Sequence, residues 1–176
     1  MEVVELLLEK DQSAIFDKDE DDNTALHLAS TAGMTKTVEL LLHQGASVQQ
    51  RNDLGWTALD CAAASGAFGC ARLLLSHDSP VDPMDLKKTT PLHLTAIYGH
   101  PRITDLLLRH GASTSMEDDQ GRNVLELAII KHQEVGKDAQ YATFFKCYTF
   151  SAMERELELQ ITTRPWQRLL LKATSG

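Results

Sequence analysis

Basic charge, aromatic side chains and long apolar runs are all scarce in this chain. Its 176 residues carry 17 Lys and Arg against 25 Asp and Glu, a formal net charge of −8. That balance repels a phosphate backbone unless a local basic patch overrides it, and the sequence has none, so no nucleic-acid partner is expected. No uninterrupted apolar run approaches the roughly 20 residues that span a bilayer, so these residues are expected to make no membrane contact of their own. Glu2 and Glu5 stand where a secretory leader would carry basic charge. The three cysteines, Cys61, Cys70 and Cys147, form no CxxC spacing and cannot all pair. A disulfide framework and a zinc knuckle are thereby set aside, and a reducing cytosol fits. Also missing are a glycine-rich phosphate loop, GxSxG, HExxH and a defined carboxylate pair. Neither catalysis nor a cofactor has a residue to rest on.

What the chain does have is a repeat. Thr24-Ala25-Leu26-His27-Leu28-Ala29 returns as Thr57-Ala58-Leu59-Asp60-Cys61-Ala62, as Thr90-Pro91-Leu92-His93-Leu94-Thr95 and as Asn123-Val124-Leu125-Glu126-Leu127-Ala128, each 33 residues after the last. A fixed period of this length marks a stacked array of small units. Each Thr precedes an apolar-periodic stretch, where its hydroxyl can cap a helix. Gly33, Gly66 and Gly99 end that first helix. A second helix, Thr37 to Gln44 in the first copy, carries a Leu-Leu pair and closes at Gly45 or Gly111, where a left-handed residue is wanted. Pro91 suits the first helical position. Asp19, Asn52, Asp85 and Asp118 recur before each unit as turn residues, predicting projecting loops.

The resulting division is the second helix and loop of a truncated unit over 1–18, full units over 19–51, 52–84 and 85–117, a degenerate unit over 118–140, and a divergent tail over 141–176. Met1–Lys10 reads as an amphipathic helix matching Val38–Leu42, the second half of a unit. The array is therefore expected to be a piece of a longer one, because solenoid ends need polar caps. In the last unit His132 stands where Gly is expected and Gly136 falls inside the second helix, which is expected to be frayed or misregistered. The tail holds Tyr141, Phe144, Phe145, Tyr148 and Phe150, which can pack on the open end of the stack.

These residues resemble the ankyrin repeats. The pattern of that family is met by Thr90-Pro91-Leu92-His93, Gly99-His100, Leu107-Leu108 and Gly111-Ala112, and the likeness covers about residues 1–132. It implies an all-α solenoid of helix-turn-helix units with projecting β-turn loops, whose faces bind proteins. Asp22 and Lys88 depart from the pattern where Gly is usual, Asp60 and Glu126 replace its His, and Asp78 replaces a terminal Gly. More narrowly, Gly55–Ala64, Pro80–Asp85 and Gly121–Ile129 look like the last cytosolic repeats of transient receptor potential channels of the ankyrin subfamily. That likeness implies the cytosolic arm of a tetrameric, calcium-permeable channel at the plasma membrane, and none of the pore residues are in this chain.

Individual residues carry further expectations. His27 and His93 read as structural, each bonding its own Thr and the neighbouring loop. Cys61 is expected in the core and Cys70 nearer the surface. Asp17, Asp19 and Asp21 alternate as calcium ligands would, but the sixth position is Asp22 and the twelfth Leu28, which is not a calcium loop. The turn tips, with Asp17, Asp19, Asp21, Arg51, Trp56, Met84, Lys87 and Asp118, are the candidate contact points. Trp56 is either a binding anchor or packing between adjacent turns. The expected partner is another protein or the rest of a longer chain, with a basic segment favoured by the acidic first tip.

Overall fold

The computed structural model describes residues 12–135 together with Tyr148 and Thr149. The expected helix at Met1–Lys10, the position of Gly136 and the rest of the tail lie outside the described residues.

A short 3-10 turn, Gln12–Ile15, precedes seven α-helices among the described residues: α1 (Ala25–Thr31), α2 (Thr35–His43), α3 (Ala58–Ser65), α4 (Phe68–Ser76), α5 (Pro91–Tyr98), α6 (Pro101–Arg109) and α7 (Val124–Val135). Thr24, Thr57 and Thr90 sit at the helix starts in extended conformation. The Thr57 and Thr90 hydroxyls accept long bonds, 3.4 Å each, from the N–H groups of Asp60 and His93, satisfying donors that a first helical turn leaves free. Pro91 and Pro101 both occupy the first helical turn.

The first and second helices of each unit are joined by two or three residues, with Gly33, Gly66 or Gly99 in the left-handed region. The turn at Gly33 closes quickly, with Thr35 N–H donating to Gly33 O at 2.9 Å, so α2 begins at Thr35, two residues before the expected Thr37. Gly66 has a second reason to lack a side chain. A Cβ there would lie 2.7 Å from the His100 ring.

Packing follows the 33-residue period. α1, α3, α5 and α7 stack successively in one layer, and α2, α4 and α6 stack in another behind it. Ala29, Ala62, Ala63 and Ala96 are buried where neighbouring first helices meet, and their small size sets the close approach. The Leu41–Leu42, Leu74–Leu75 and Leu107–Leu108 pairs are buried between the layers, each Leu contributing about 1.5–3 kcal/mol of burial. Cys61 and Cys70 are both buried. Cys70 is thus not nearer the surface as expected: it lies on the buried face of α4, with its Sγ 3.7 Å from Thr35 Oγ1 of the preceding unit.

The fourth unit differs. α7 continues through position 132, because His132 replaces the left-handed glycine that stops the earlier first helices. Of the aromatic tail, Tyr148 is described: it is buried in the core cluster, hydrogen-bonded to Thr114, and burial pushes its hydroxyl pKa up.

Candidate partner-binding surface

The projecting turns are built by one side chain each. The side-chain oxygen of Asp19 accepts from the N–H groups of Asp21 and Asn23 at 3.1 and 2.8 Å, and that of Asn52 from Leu54 and Trp56 at 3.1 and 2.9 Å. Asp85 does the same for Lys87 and Thr89 at 2.8 and 2.7 Å, and Asp118 for Gln120 and Arg122 at 2.9 Å each. The fourth residue of every turn is left-handed: Asp22, Gly55, Lys88 and Gly121. Two of these positions are the family's glycines replaced by other residues, and the backbone conformation is kept regardless. The loop is a type I turn closed by a left-handed bulge residue, which suits a three-residue hairpin.

Adjacent turns are stitched together. Asp53 N–H donates to Asp21 O at 3.1 Å, Leu86 N–H to Leu54 O at 3.2 Å and Asp119 N–H to Lys87 O at 2.9 Å. The outermost residues therefore form a row, with Glu20 and Asp21, then Asp53 and Leu54, then Leu86 and Lys87, then Asp119 and Gln120.

Beneath the tips, buried side chains tie unit to unit. His27 Nδ1 accepts from Thr24 N–H at 3.1 Å, so its proton sits on Nε2, which donates to Trp56 O at 3.0 Å. His93 repeats this, with Nδ1 on Thr90 N–H at 3.2 Å and Nε2 on Met116 O at 3.1 Å. Burial lowers both pKa values and keeps the rings neutral. Asp60 stands in the same slot of the second unit. Its Oδ2 accepts from Thr57 N–H and Oγ1–H at 2.8 and 2.7 Å, while its buried Oδ1 has no hydrogen-bond partner. Desolvation raises its pKa to about 7, against the opposing bonds from Thr57.

Several residues expected at the contact surface turn out to be fastened into the frame. Asp118 is buried and its Oδ2 accepts from Arg122 Nε at 2.8 Å and Nη2 at 2.6 Å, so it is not an exposed contact. Burial pushes its pKa up, but the Arg122 contacts and turn N–H groups prevail and hold it below the usual value. Asp19 is exposed, yet its carboxylate is occupied by its own turn, and those bonds lower its pKa against desolvation. Trp56 is half-buried, its Nε1–H donating to Asp85 Oδ2 at 2.9 Å, which is packing between adjacent turns. Arg51 donates through Nη1 to Gly55 O at 2.6 Å and Met84 O at 2.7 Å. Asp17, Asp21, Met84 and Lys87 remain exposed side chains.

The descriptions "Ankyrin repeats (3 copies)" and "Ankyrin repeats (many copies)" match residues 1–85 and 74–128, together most of the chain. The chain belongs to the ankyrin-repeat family. Among curated proteins, the ankyrin chain is 35% identical over 63% of its length to the Caenorhabditis elegans "Transient receptor potential cation channel subfamily A member 1 homolog", covering 9% of that protein. It is 35% identical over 62% of its length to mouse "Ankyrin repeat and SOCS box protein 16", covering 26% of it, and 34% identical over 62% to dog "Inversin", covering 10%. It thus spans a minor part of these ankyrin relatives. No helix among the described residues is long and apolar enough to cross a membrane.

Asp53, Leu54 and Leu86 fall within the turn tips expected from the sequence, over 50–55 and 83–88, but were not singled out there as contact residues. The signal was present, since each lies one or two positions after the turn-forming Asn52 or Asp85 and so falls on an ankyrin turn tip.

Proposed function

We propose that this ankyrin array is a non-catalytic protein-binding module that receives a segment of basic character along its turn tips and the adjoining concave face. The observation that carries this reading is the acidic first tip, Asp17 to Asp22, projecting from turns whose own hydrogen bonds hold them in place. A rigid row of tips loses little entropy on binding, and an acidic one favours a cationic partner over the acidic surfaces of most other proteins.

The test is binding to synthetic peptides of equal length that are net basic, neutral or acidic. The basic set is expected to bind, more weakly as salt rises. Equal binding by all three sets, or unchanged binding after Asp17→Asn with Asp21→Asn, would overturn the proposal. Asp19 is left intact because it builds its turn.

A second reading is favoured by the likeness to cation-channel relatives in worm and fly. Here the chain is a cytosolic N-terminal portion of a tetrameric cation channel at the plasma membrane, and its partner is the rest of its own polypeptide. The native transcript, read past both ends, tests this. Further repeats upstream and several apolar spans downstream are expected, and a transcript coding for neither refutes it.

A further inference from the structure

The row of tips changes character along the stack in a way that specifies more than charge. Between the first two turns lies a cleft of about 330 Å³, lined by Asp21, Asn23, Asn52, Asp53, Leu54 and Trp56 among others. Its polar amides are spent: Asn52 Nδ2 donates to Asn23 Oδ1 at 2.8 Å, and Trp56 Nε1–H is engaged by Asp85. Its two carboxylates are not. Among the described residues no ion pair or side-chain hydrogen bond engages Asp21 or Asp53, whereas neighbouring Asp22 is paired with Lys18 at 3.6 Å. The bond from Asp53 N–H to Asp21 O holds these two acidic residues on adjacent tips, both lining the cleft.

Beside the cleft the surface turns apolar. Leu54 is 51% exposed, Met84 45% and Leu86 77%. Leu54 and Leu86 are joined through their backbones, so they form a ledge rather than scattered residues. Exposed apolar residues grouped in this way, next to polar surface, mark contact sites.

We propose that the occupant is an extended peptide segment with an Arg or Lys side chain seated between Asp21 and Asp53 over the Trp56 ring, followed by apolar side chains resting on Leu54, Met84 and Leu86. This rests on the protein-binding reading above and adds to it the order of the partner's residues. The cation pairs with the two carboxylates, its aliphatic stem covers the Trp face, and the next residues remove the ledge from water. The two requirements act on different turns, so each can be removed separately.

The experiment is selection of random dodecapeptides displayed on phage against the whole 176-residue chain, followed by affinity measurement on a synthetic consensus peptide. Expected is enrichment of Arg or Lys followed within a few residues by Leu, Ile, Met or Phe. Affinity for the consensus should fall about fivefold in Asp21→Asn with Asp53→Asn and about tenfold in Leu86→Ser, with thermal melting unchanged because all three side chains are exposed. Selected peptides that lack the basic–apolar order, or whose affinity neither variant changes, overturn this inference while leaving the protein-binding reading in place. Failure to enrich any peptide overturns both.

Discussion

The joint between the second and third units is made differently from those on either side. At His27 and His93 a neutral imidazole spans from its own capping Thr to a carbonyl of the next turn, so the polar tie is buried at the centre of the joint. At Asp60 the side chain is shorter, reaches only its own Thr57, and leaves one buried oxygen unsatisfied. The missing tie reappears at the rim. Trp56 Nε1–H to Asp85 and His100 Nε2 to Ala64 O at 3.1 Å both cross this same joint. One backbone register therefore accepts a joint with the central tie, as at His27, or without it, as at Asp60. The contact surface is shaped by such fastening, because Arg51 and the Trp56 indole N–H are spent on it, while the Trp56 ring still lines the cleft between the first two turns.

The difference can be broken most strongly from the histidine side. His93→Ala strips the partner from Thr90 N–H and Met116 O in a buried place and should cost about 2–4 kcal/mol in urea unfolding, the sum of two unsatisfied groups. Asp60→His rebuilds the central bridge in a slot that its sister units already fit to imidazole. It should gain about 1–2 kcal/mol at pH 8, with a smaller gain at pH 5 where Asp60 is already neutral.

Acid and alkali should also separate the two kinds of joint. Unfolded Asp ionises near pH 4, whereas Asp60 keeps its proton to about 7, in surroundings where Asp85 raises its pKa and Arg51 lowers it. Its contribution is therefore fully present below about pH 4 and lost as pH rises through about 7. His27 and His93, held below their usual 6.5, contribute in the opposite sense: fully above about 6.5, and less as pH falls below it. Urea midpoints of the parent and of Asp60→Asn, measured from pH 5 to 8, should show the alkaline loss in the parent alone. Similar slopes for the two proteins would mean that Asp60 does not titrate in this range.

Smaller effects lie at the rim. Trp56→Phe keeps an aromatic ring, though a smaller one, and removes the bond to Asp85, and should cost about 1 kcal/mol if the rim carries the joint. Lys88→Gly relaxes a left-handed residue, φ +56°, in the turn facing Asp60, and should gain about 0.5 kcal/mol after the entropy of the extra glycine is counted.

Much of this is legible in the sequence, because the physics of the repeat is local. A Thr before an apolar run, a Gly 9 residues later and an Asx ahead of each Thr specify cap, stop and turn without reference to distant residues. His27 and His93 were readable for the same reason. What escaped depended on proximity across units. Asp21 and Asp53 meet over 32 residues of chain through a tip-to-tip backbone bond, and neither position is apolar-periodic or part of the repeat signature. Cys70 was misplaced because it packs against Thr35 of the preceding unit, and Asp118 because nothing in the repeat pattern marks Arg122, four residues on, as its ion-pair partner.

The short span of every fastening has a consequence for how the molecule comes to be folded. Among the described residues the side-chain ties between units reach across 29 to 36 residues, as from His27 to Trp56 and from His100 to Ala64, and none closes a long loop. Two neighbouring units can nucleate anywhere along the array and recruit the next on either side, with little chain entropy to lose at each step. Rapid folding, driven by contacts close in sequence, is the kinetic counterpart of the 33-residue register.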